Sequence, residues 1–228
     1  MRSTIMEFPR QPMTFPDDTQ RLVIVGPTGS GKTQLGVFQL AHRDYHLMPW
    51  VVINYKREKL IDAIPHAHHI GLNDVPTRPG VYVIHPVPID DDENVERFLR
   101  EVWKRGDIGI FVDEGLMMGQ TNASYRLLLT QGRSLYCPMI VLTQRPAWVD
   151  KFTFTESEFY EVFPLRFKGD IQTIGEYIPD FQNRRLPKYH FWHYDVAENR
   201  LVQASPVPKI EVILATFERR LRHKKIAV

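Results

Sequence analysis

The sequence predicts an α/β fold, with a mostly parallel central sheet and helices on both faces. Short, continuous apolar runs rich in Val and Ile alternate with stretches of helical periodicity, as strands buried on both faces require. The first run, Leu22 to Val25, stops at Gly26 and is followed by Gly29, Gly31, Lys32 and Thr33, so a strand passes through a glycine loop into a helix. The 228 residues suffice for one such domain with a substantial core, and a second large domain is not expected.

Residues 1–20, rich in Pro, Asp, Thr and Gln, read as an extended lead-in to the α/β domain, which is expected over 21–205. After the glycine loop, Leu35, Phe38 and Ala41 mark one face of a helix ending near Arg43. Further strands are expected at 50–55, 80–84, 108–112 and 139–142, with a short helical pattern through Ile64. A helix over 93–104, capped by Asp90, Asp91 and Asp92, presents Val95, Phe98, Leu99 and Val102 to the core. Another, over 123–132, leads into the strand at 139–142. Beyond it the alternation changes: 159–163 reads as a strand and 189–202 as a hairpin turning at Ala197, Glu198 and Asn199. Residues 206–228 read as a basic C-terminal helix and tail, with Val212, Ile213, Phe217 and Leu221 on its apolar stripe.

Composition narrows the function classes. A net charge of +2 is too small to argue for nucleic acid by itself. The lone Cys137 rules out an intramolecular disulfide, suits a reducing compartment and, placed before an expected strand, reads as a buried thiol. No apolar run is long enough for a transmembrane segment, and the N-terminus lacks a signal-peptide core. The chain is therefore expected to be soluble and intracellular, or made there and carried elsewhere in a particle.

The loop Gly26-Pro27-Thr28-Gly29-Ser30-Gly31-Lys32-Thr33 is G-x-x-x-x-G-K-T in its required setting, and it predicts a nucleoside triphosphate site. Small residues let backbone N–H groups turn inward around phosphate oxygens, at a helix N-terminus whose dipole favours anions. Lys32 is then placed to reach the β- and γ-phosphates, and the Thr33 hydroxyl to supply an oxygen to Mg²⁺. The strand at 108–112 delivers two consecutive carboxylates. Asp113 is expected to hold Mg²⁺ through water, and Glu114 to orient or deprotonate the water that attacks the γ-phosphate. An adjacent Glu favours hydrolysis over a kinase, which must exclude water. Gln144 ends a strand expected to neighbour both of these, within reach of the same water.

The order of P-loop, Asp113-Glu114, Gly132-Arg133 and Thr143-Gln144-Arg145-Pro146-x-x-Val149-Asp150 is similar to that of the FtsK–HerA superfamily of DNA-pumping ATPases. That superfamily includes a small viral branch, the genome-packaging ATPases of tailless, membrane-containing and related viruses. The resemblance covers about residues 20–175. It implies a RecA-like domain using ATP and Mg²⁺, and a homo-oligomeric ring, expected to be a hexamer, that moves double-stranded DNA without sequence preference. It further implies a preformed capsid as destination, a capsid or virion-vertex protein as partner, and a place in the host cytoplasm or the virion. By similarity, Lys32, Thr33, Asp113, Glu114 and Gln144 take the nucleotide and sensor roles. Arg133 is the candidate for an arginine supplied to a neighbour's site, and Arg145 the second. Residues 115–122 resemble a pore loop. The sequence has no obvious extra N-terminal barrel, membrane anchor or C-terminal DNA-reading domain, which favours the viral branch over a cellular HerA-type translocase.

Weaker signals have plainer readings. His66, His68 and His69 suggest a metal site, but no Cys or acidic cluster is near in sequence, and a loop histidine run is the expectation. Lys56, Arg57 and Lys59 are read either as DNA-phosphate contacts or as a solvated loop. Arg219, Arg220, Arg222, Lys224 and Lys225 read as a solvated helix end unless they meet DNA, a capsid or a membrane surface. Two other classes remain: a small-molecule phosphotransferase, which the Asp-Glu and Thr-Gln-Arg-Pro elements oppose, and a nucleotide-gated assembly protein. ATPase activity with and without DNA separates them.

Overall fold

A computed structural model describes residues 13–119 and 122–222. The elements are β1 (Leu22–Val25), α1 (Lys32–Ala41), β2 (Pro49–Ile53), α2 (Lys59–Asp62), β3 (His68–His69), β4 (Gly80–Ile84), α3 (Asp92–Arg105), β5 (Gly109–Val112), α4 (Ala123–Gln131), β6 (Met139–Thr143), α5 (Phe152–Thr155), β7 (Phe159–Val162), α6 (Lys168–Tyr177), β8 (Phe191–Asp195), β9 (Arg200–Ala204) and α7 (Ile210–Arg222). The described strands form one sheet in the order β3-β4-β2-β5-β6-β1-β7-β8-β9. Pairing is parallel from β3 through β7 and antiparallel across β7–β8 and β8–β9.

The alternation of each strand divides its side chains between two cores. Along β1, Leu22 and Ile24 pack with Leu35, Val37 and Leu40 of α1, whereas Val23 and Val25 pack with Phe154 of α5 and Ile174 of α6. The second face continues under α3 and α4, where Val95, Phe98, Leu99 and Val102 are all buried, as their spacing requires. Burying a side chain such as Phe98 contributes about 1.5–3 kcal/mol, and Phe98→Ala is expected to cost about 3–5 kcal/mol through the cavity it leaves. Cys137 lies fully buried as a free thiol, and burial pushes its pKa up.

The C-terminal helix is packed onto this core. Ile213 and Phe217 are fully buried, and Phe217 stacks on Tyr45 with ring centroids 5.4 Å apart. Gln34, in the first turn of α1, donates through Nε2 to the Pro208 carbonyl just before α7. Near the other end, Arg220 donates to the His42 carbonyl at 3.0 Å and to Asp44 Oδ1 at 2.6 Å. That basic residue is thus spent within the fold. Lys224 and Lys225 lie outside the described residues, as does the lead-in up to residue 12.

Three features depart from the sequence reading. His68 and His69 form an outermost strand where a loop was expected, because their backbone pairs with Tyr82 and Val83 of β4. The helices α5 and α6 had no expectation: α5 is only one turn, and α6 carries few apolar residues, with Gly169 and Gly175 inside it. The segment after Glu114, which resembles a pore loop, has an ordered start that the sequence did not indicate, a 3-10 turn over Gly115–Met118 that tucks Met118 into the core; Gln120 and Thr121 lie outside the described residues.

Candidate active site

Strands β1, β6 and β5 are parallel neighbours, so their carboxyl ends open on one side of the sheet. The first delivers the glycine loop, the second Gln144 and the third Asp113 with Glu114. The order β1-β6-β5 places Gln144 between the other two groups, as expected from sequence. The Thr28 hydroxyl donates to Gln144 Oε1 at 2.8 Å, and the Gln144 amide donates to Glu114 Oε1 at 3.3 Å.

The loop turns through two left-handed glycines, Gly29 at φ +77° and Gly31 at φ +98°, conformations in which a side chain is strained. At Gly31 a Cβ would also stand 3.2 Å from the Tyr189 ring. Gly26 continues β1, its amide donating to the Thr143 carbonyl at 3.1 Å, and Ser30 closes the turn back onto Pro27 at 3.2 Å. Lys32 opens α1 and is 4% exposed. Burial, then the nearby Lys56 ammonium, pulls its pKa down from the ordinary 10.5 to about 8, against the pull of Glu114 and Asp113.

Asp113 is fully buried, and burial raises its pKa although Lys56 and Lys32 oppose the shift. Its Oδ1 lies 3.4 Å from Thr33 Oγ1, and its Oδ2 has no hydrogen-bond partner among the described residues. A buried carboxylate oxygen left open beside a hydroxyl is a donor set that fits a hydrated Mg²⁺. Lys56 is the member of the site that sequence reading did not place. Its Nζ stands 3.4 Å from Glu114 Oε2 and 3.7 Å from Asp113 Oδ2. Because β2 pairs with β5, a residue just past the end of one strand meets acids just past the end of the other. Lys56, read from sequence either as a DNA-phosphate contact or as part of a solvated loop, thus faces the phosphate loop. A cavity of about 300 Å³ lined by Thr28, Gly29, Lys32, Thr33, Lys56 and Gln144 occupies this space. A second, of about 390 Å³, adjoins the other side of the loop beneath Arg166, Arg184, Lys188 and Tyr189.

The two arginine candidates are placed differently. Arg145 lies sandwiched, its guanidinium 4.3 Å from the Trp148 ring centroid and 4.5 Å from that of Phe167, and 3.1 Å from Asp170 Oδ2. Its neighbour in the motif, Asp150, pairs with Arg126 and accepts the Phe152 amide at 3.0 Å, so it shapes the loop entering α5. Arg133 is 74% exposed in its side chain and lies 3.8 Å from Glu158, which in turn accepts the Arg21 amide at 2.7 Å. Arg21 precedes β1 and Glu158 precedes β7, so Arg133 stands at the amino ends of the strands, across the sheet from its own glycine loop.

This fold and this site together define a P-loop nucleoside triphosphatase with a glutamine-bearing strand between the phosphate loop and the acidic pair. Over 221 residues the chain is 39% identical to the DNA packaging ATPase P9 of Enterobacteria phage PRD1, covering 92% of this chain and 97% of that protein. The chain belongs to this family of viral DNA-packaging ATPases. The genome packaging NTPase B204 of Sulfolobus turreted icosahedral virus 2, solved with AMPPCP, has the same fold, with a TM-score of 0.68 at 18% identity over 84% of this chain and all of that one. B204 of Sulfolobus turreted icosahedral virus superposes with a TM-score of 0.63 at 15% identity, over 83% of this chain and 98% of that one. No protein-family profile matches the sequence. No helix among the described residues is long and apolar enough to cross a membrane.

Proposed function

We propose that this chain hydrolyses ATP to drive double-stranded DNA into a preformed viral capsid, acting as a homo-oligomeric ring, a hexamer in this reading. The observation that carries the proposal is the hydrogen-bonded run from Thr28 through Gln144 to Glu114, which links the phosphate loop to the acid beside the metal ligand. The 39% identity to a packaging ATPase supports the same reading. Lys32 pairs with the β- and γ-phosphate oxygens, and amides of the loop from Gly26 to Thr33 hold the rest of the chain of phosphates. Thr33 and Asp113 hold Mg²⁺, which when bound supplies positive charge to the phosphates. Glu114 takes the proton of the attacking water, and Gln144 orients that water from the strand between. Lys56 offsets the charge of both acids and faces the terminal phosphate. The cleft beside Tyr189 receives the nucleoside.

Arg133 faces away from its own loop, so its contribution goes to the neighbouring subunit of the ring. The partners on this reading are DNA, held by its phosphates, and a capsid or virion-vertex protein, with the enzyme in the host cytoplasm or the virion. The test is ATP turnover by the purified chain with and without linear duplex DNA. Stimulation by DNA, lost in Glu114→Gln, is the expected result. Negligible turnover in both conditions would leave a nucleotide-gated assembly protein instead.

A further inference from the structure

At the carboxyl ends of the outer strands, two histidines and an aspartate from three separate segments converge. Asp62 ends α2, His69 ends β3 and His85 follows β4, and one potential ligand atom from each lies within 4.8 Å of the other two. His85 Nε2 is 2.7 Å from Asp62 Oδ1. The His69 and His85 rings lie 3° from parallel with centroids 5.3 Å apart. Behind them stands Asn54, fully buried, whose Nδ2 donates to Asp62 Oδ1 at 3.1 Å while its Oδ1 accepts the Glu58 amide at 2.9 Å. The carboxylate is therefore oriented by an amide that is itself fixed, the kind of support that ligating carboxylates usually have.

The histidine run of the sequence is split by this geometry. Strand alternation sends His68 and His69 to opposite sides, and the His68 ring tilts against Tyr82 instead. His66 lies 3.5 Å from Glu218. The acidic partner is Asp62, seven residues before His69 at the end of α2, and a second imidazole comes from His85, just past the end of β4.

We propose that Asp62, His69 and His85 bind one divalent transition-metal ion of the zinc type, separate from the magnesium site at Asp113. Two imidazoles with one carboxylate suit a borderline ion, whereas magnesium and calcium favour oxygen donors alone. With metal–ligand bonds of about 2.0–2.2 Å, the ligand atoms of a bound site stand roughly 3–3.5 Å apart. Asp62 and His69 are exposed and His85 half-buried, so side-chain rotation alone can close the difference. The remaining coordination position is left to water. The ion has a structural task. β3 is two residues long and outermost in the sheet, and the ion ties it and the end of β4 to α2. Through Asn54 it also steadies the turn that presents Lys56 to Asp113 and Glu114.

The experiment uses the full chain without a histidine tag, stripped with chelator and then titrated with Zn²⁺ against a chromogenic chelator and with Co²⁺ by visible absorption. About one equivalent per chain is expected, with the intense cobalt bands of four- or five-coordinate geometry. His69→Ala and His85→Ala are each expected to weaken binding by about 100-fold, while His68→Ala, on the same short strand, leaves it unchanged. Zn²⁺ is expected to raise the melting temperature of the wild type and of His68→Ala but not of His85→Ala. Titration without stoichiometric uptake, a weak six-coordinate cobalt spectrum, or full binding in either His69→Ala or His85→Ala overturns the proposal.

Discussion

Gln144 holds Glu114 through its main chain: its amide donates to Glu114 Oε1 at 3.3 Å, which leaves the side-chain amide for Thr28 at 2.8 Å. Side-chain substitution at Gln144 therefore separates the two links. Gln144→Ala is expected to retain nucleotide affinity and lower turnover by about 10–100-fold, since the acid stays in place while the water loses its orienting group. Glu114→Gln is expected to bind ATP normally and lose at least about 100-fold in turnover. Steady-state kinetics with a fluorescent-nucleotide titration check both, and a matching loss of affinity in Glu114→Gln would sink this division of labour.

Lys32 gives a pH signature. Its pKa is lowered from 10.5 to about 8, so the folded apoprotein binds fewer protons than the unfolded chain between those values, and the penalty is fully present below about pH 8 and is relieved as pH rises toward 10.5. At neutral pH it amounts to on the order of 3 kcal/mol. Lys32→Met is therefore expected to raise the melting temperature of the nucleotide-free protein while abolishing hydrolysis. In the wild type, ATP affinity falls above about pH 8 and binding there takes up a proton, measured by calorimetry in buffers of different ionisation enthalpy. Affinity that stays flat from pH 7 to about 9.5 would contradict the shift.

Lys56 distinguishes a nucleotide-site lysine from a DNA contact. Lys56→Ala is expected to lower ATP turnover by about 100-fold, as removal of one charge-stabilising donor does elsewhere. Its DNA affinity and the salt dependence of that affinity are expected to match the wild type. A lysine that neutralises a DNA phosphate would instead reduce the salt slope by about 1. Filter binding across a salt series, beside an ATPase assay, decides between them.

Arg133 is tested by mixing. Arg133→Ala and Lys32→Ala are each expected to be inactive alone, whereas a mixed ring contains interfaces pairing an intact phosphate loop with an intact arginine. Arginines supplied in this way are worth about 10³–10⁵ in rate in other P-loop enzymes. Recovery of ATPase activity on mixing is the expected outcome. Full activity in Arg133→Ala alone, or silence from rings shown to be mixed, removes the assignment.

What the sequence made legible was local. The glycine loop, the paired acids and the glutamine each sit at the end of an apolar run, so strand, turn and chemistry are read together within a few residues. Lys56 was illegible as a site residue because its role arises from β2 lying beside β5, a pairing of segments about 60 residues apart. His85 escaped because its place beside His69 depends on β3 pairing with β4, and Asp62, only seven residues before His69, because a lone acid in a helical stretch is no ligand signal by itself. Arg145 was the second arginine candidate in sequence, yet Trp148, Phe167 and Asp170 pack against it, and the last two come from the start of α6, an element with too few apolar residues to announce itself. Strand alternation over two residues could not have told His68 from His69 without knowing that an edge of the sheet lay there.

The fastening of α7 to α1 has a mechanical side. One helix is pinned to the other near both ends, by Gln34 to Pro208 at the start and by Arg220 to His42 and Asp44 at the finish. The pair forms a single strut whose tip is Lys32. The two helices are therefore expected to move together, so that a displacement of the phosphate loop at the start of α1 displaces α7 as well. The coupling is expected to run both ways: a load placed on α7 reaches the helix whose first residue is Lys32.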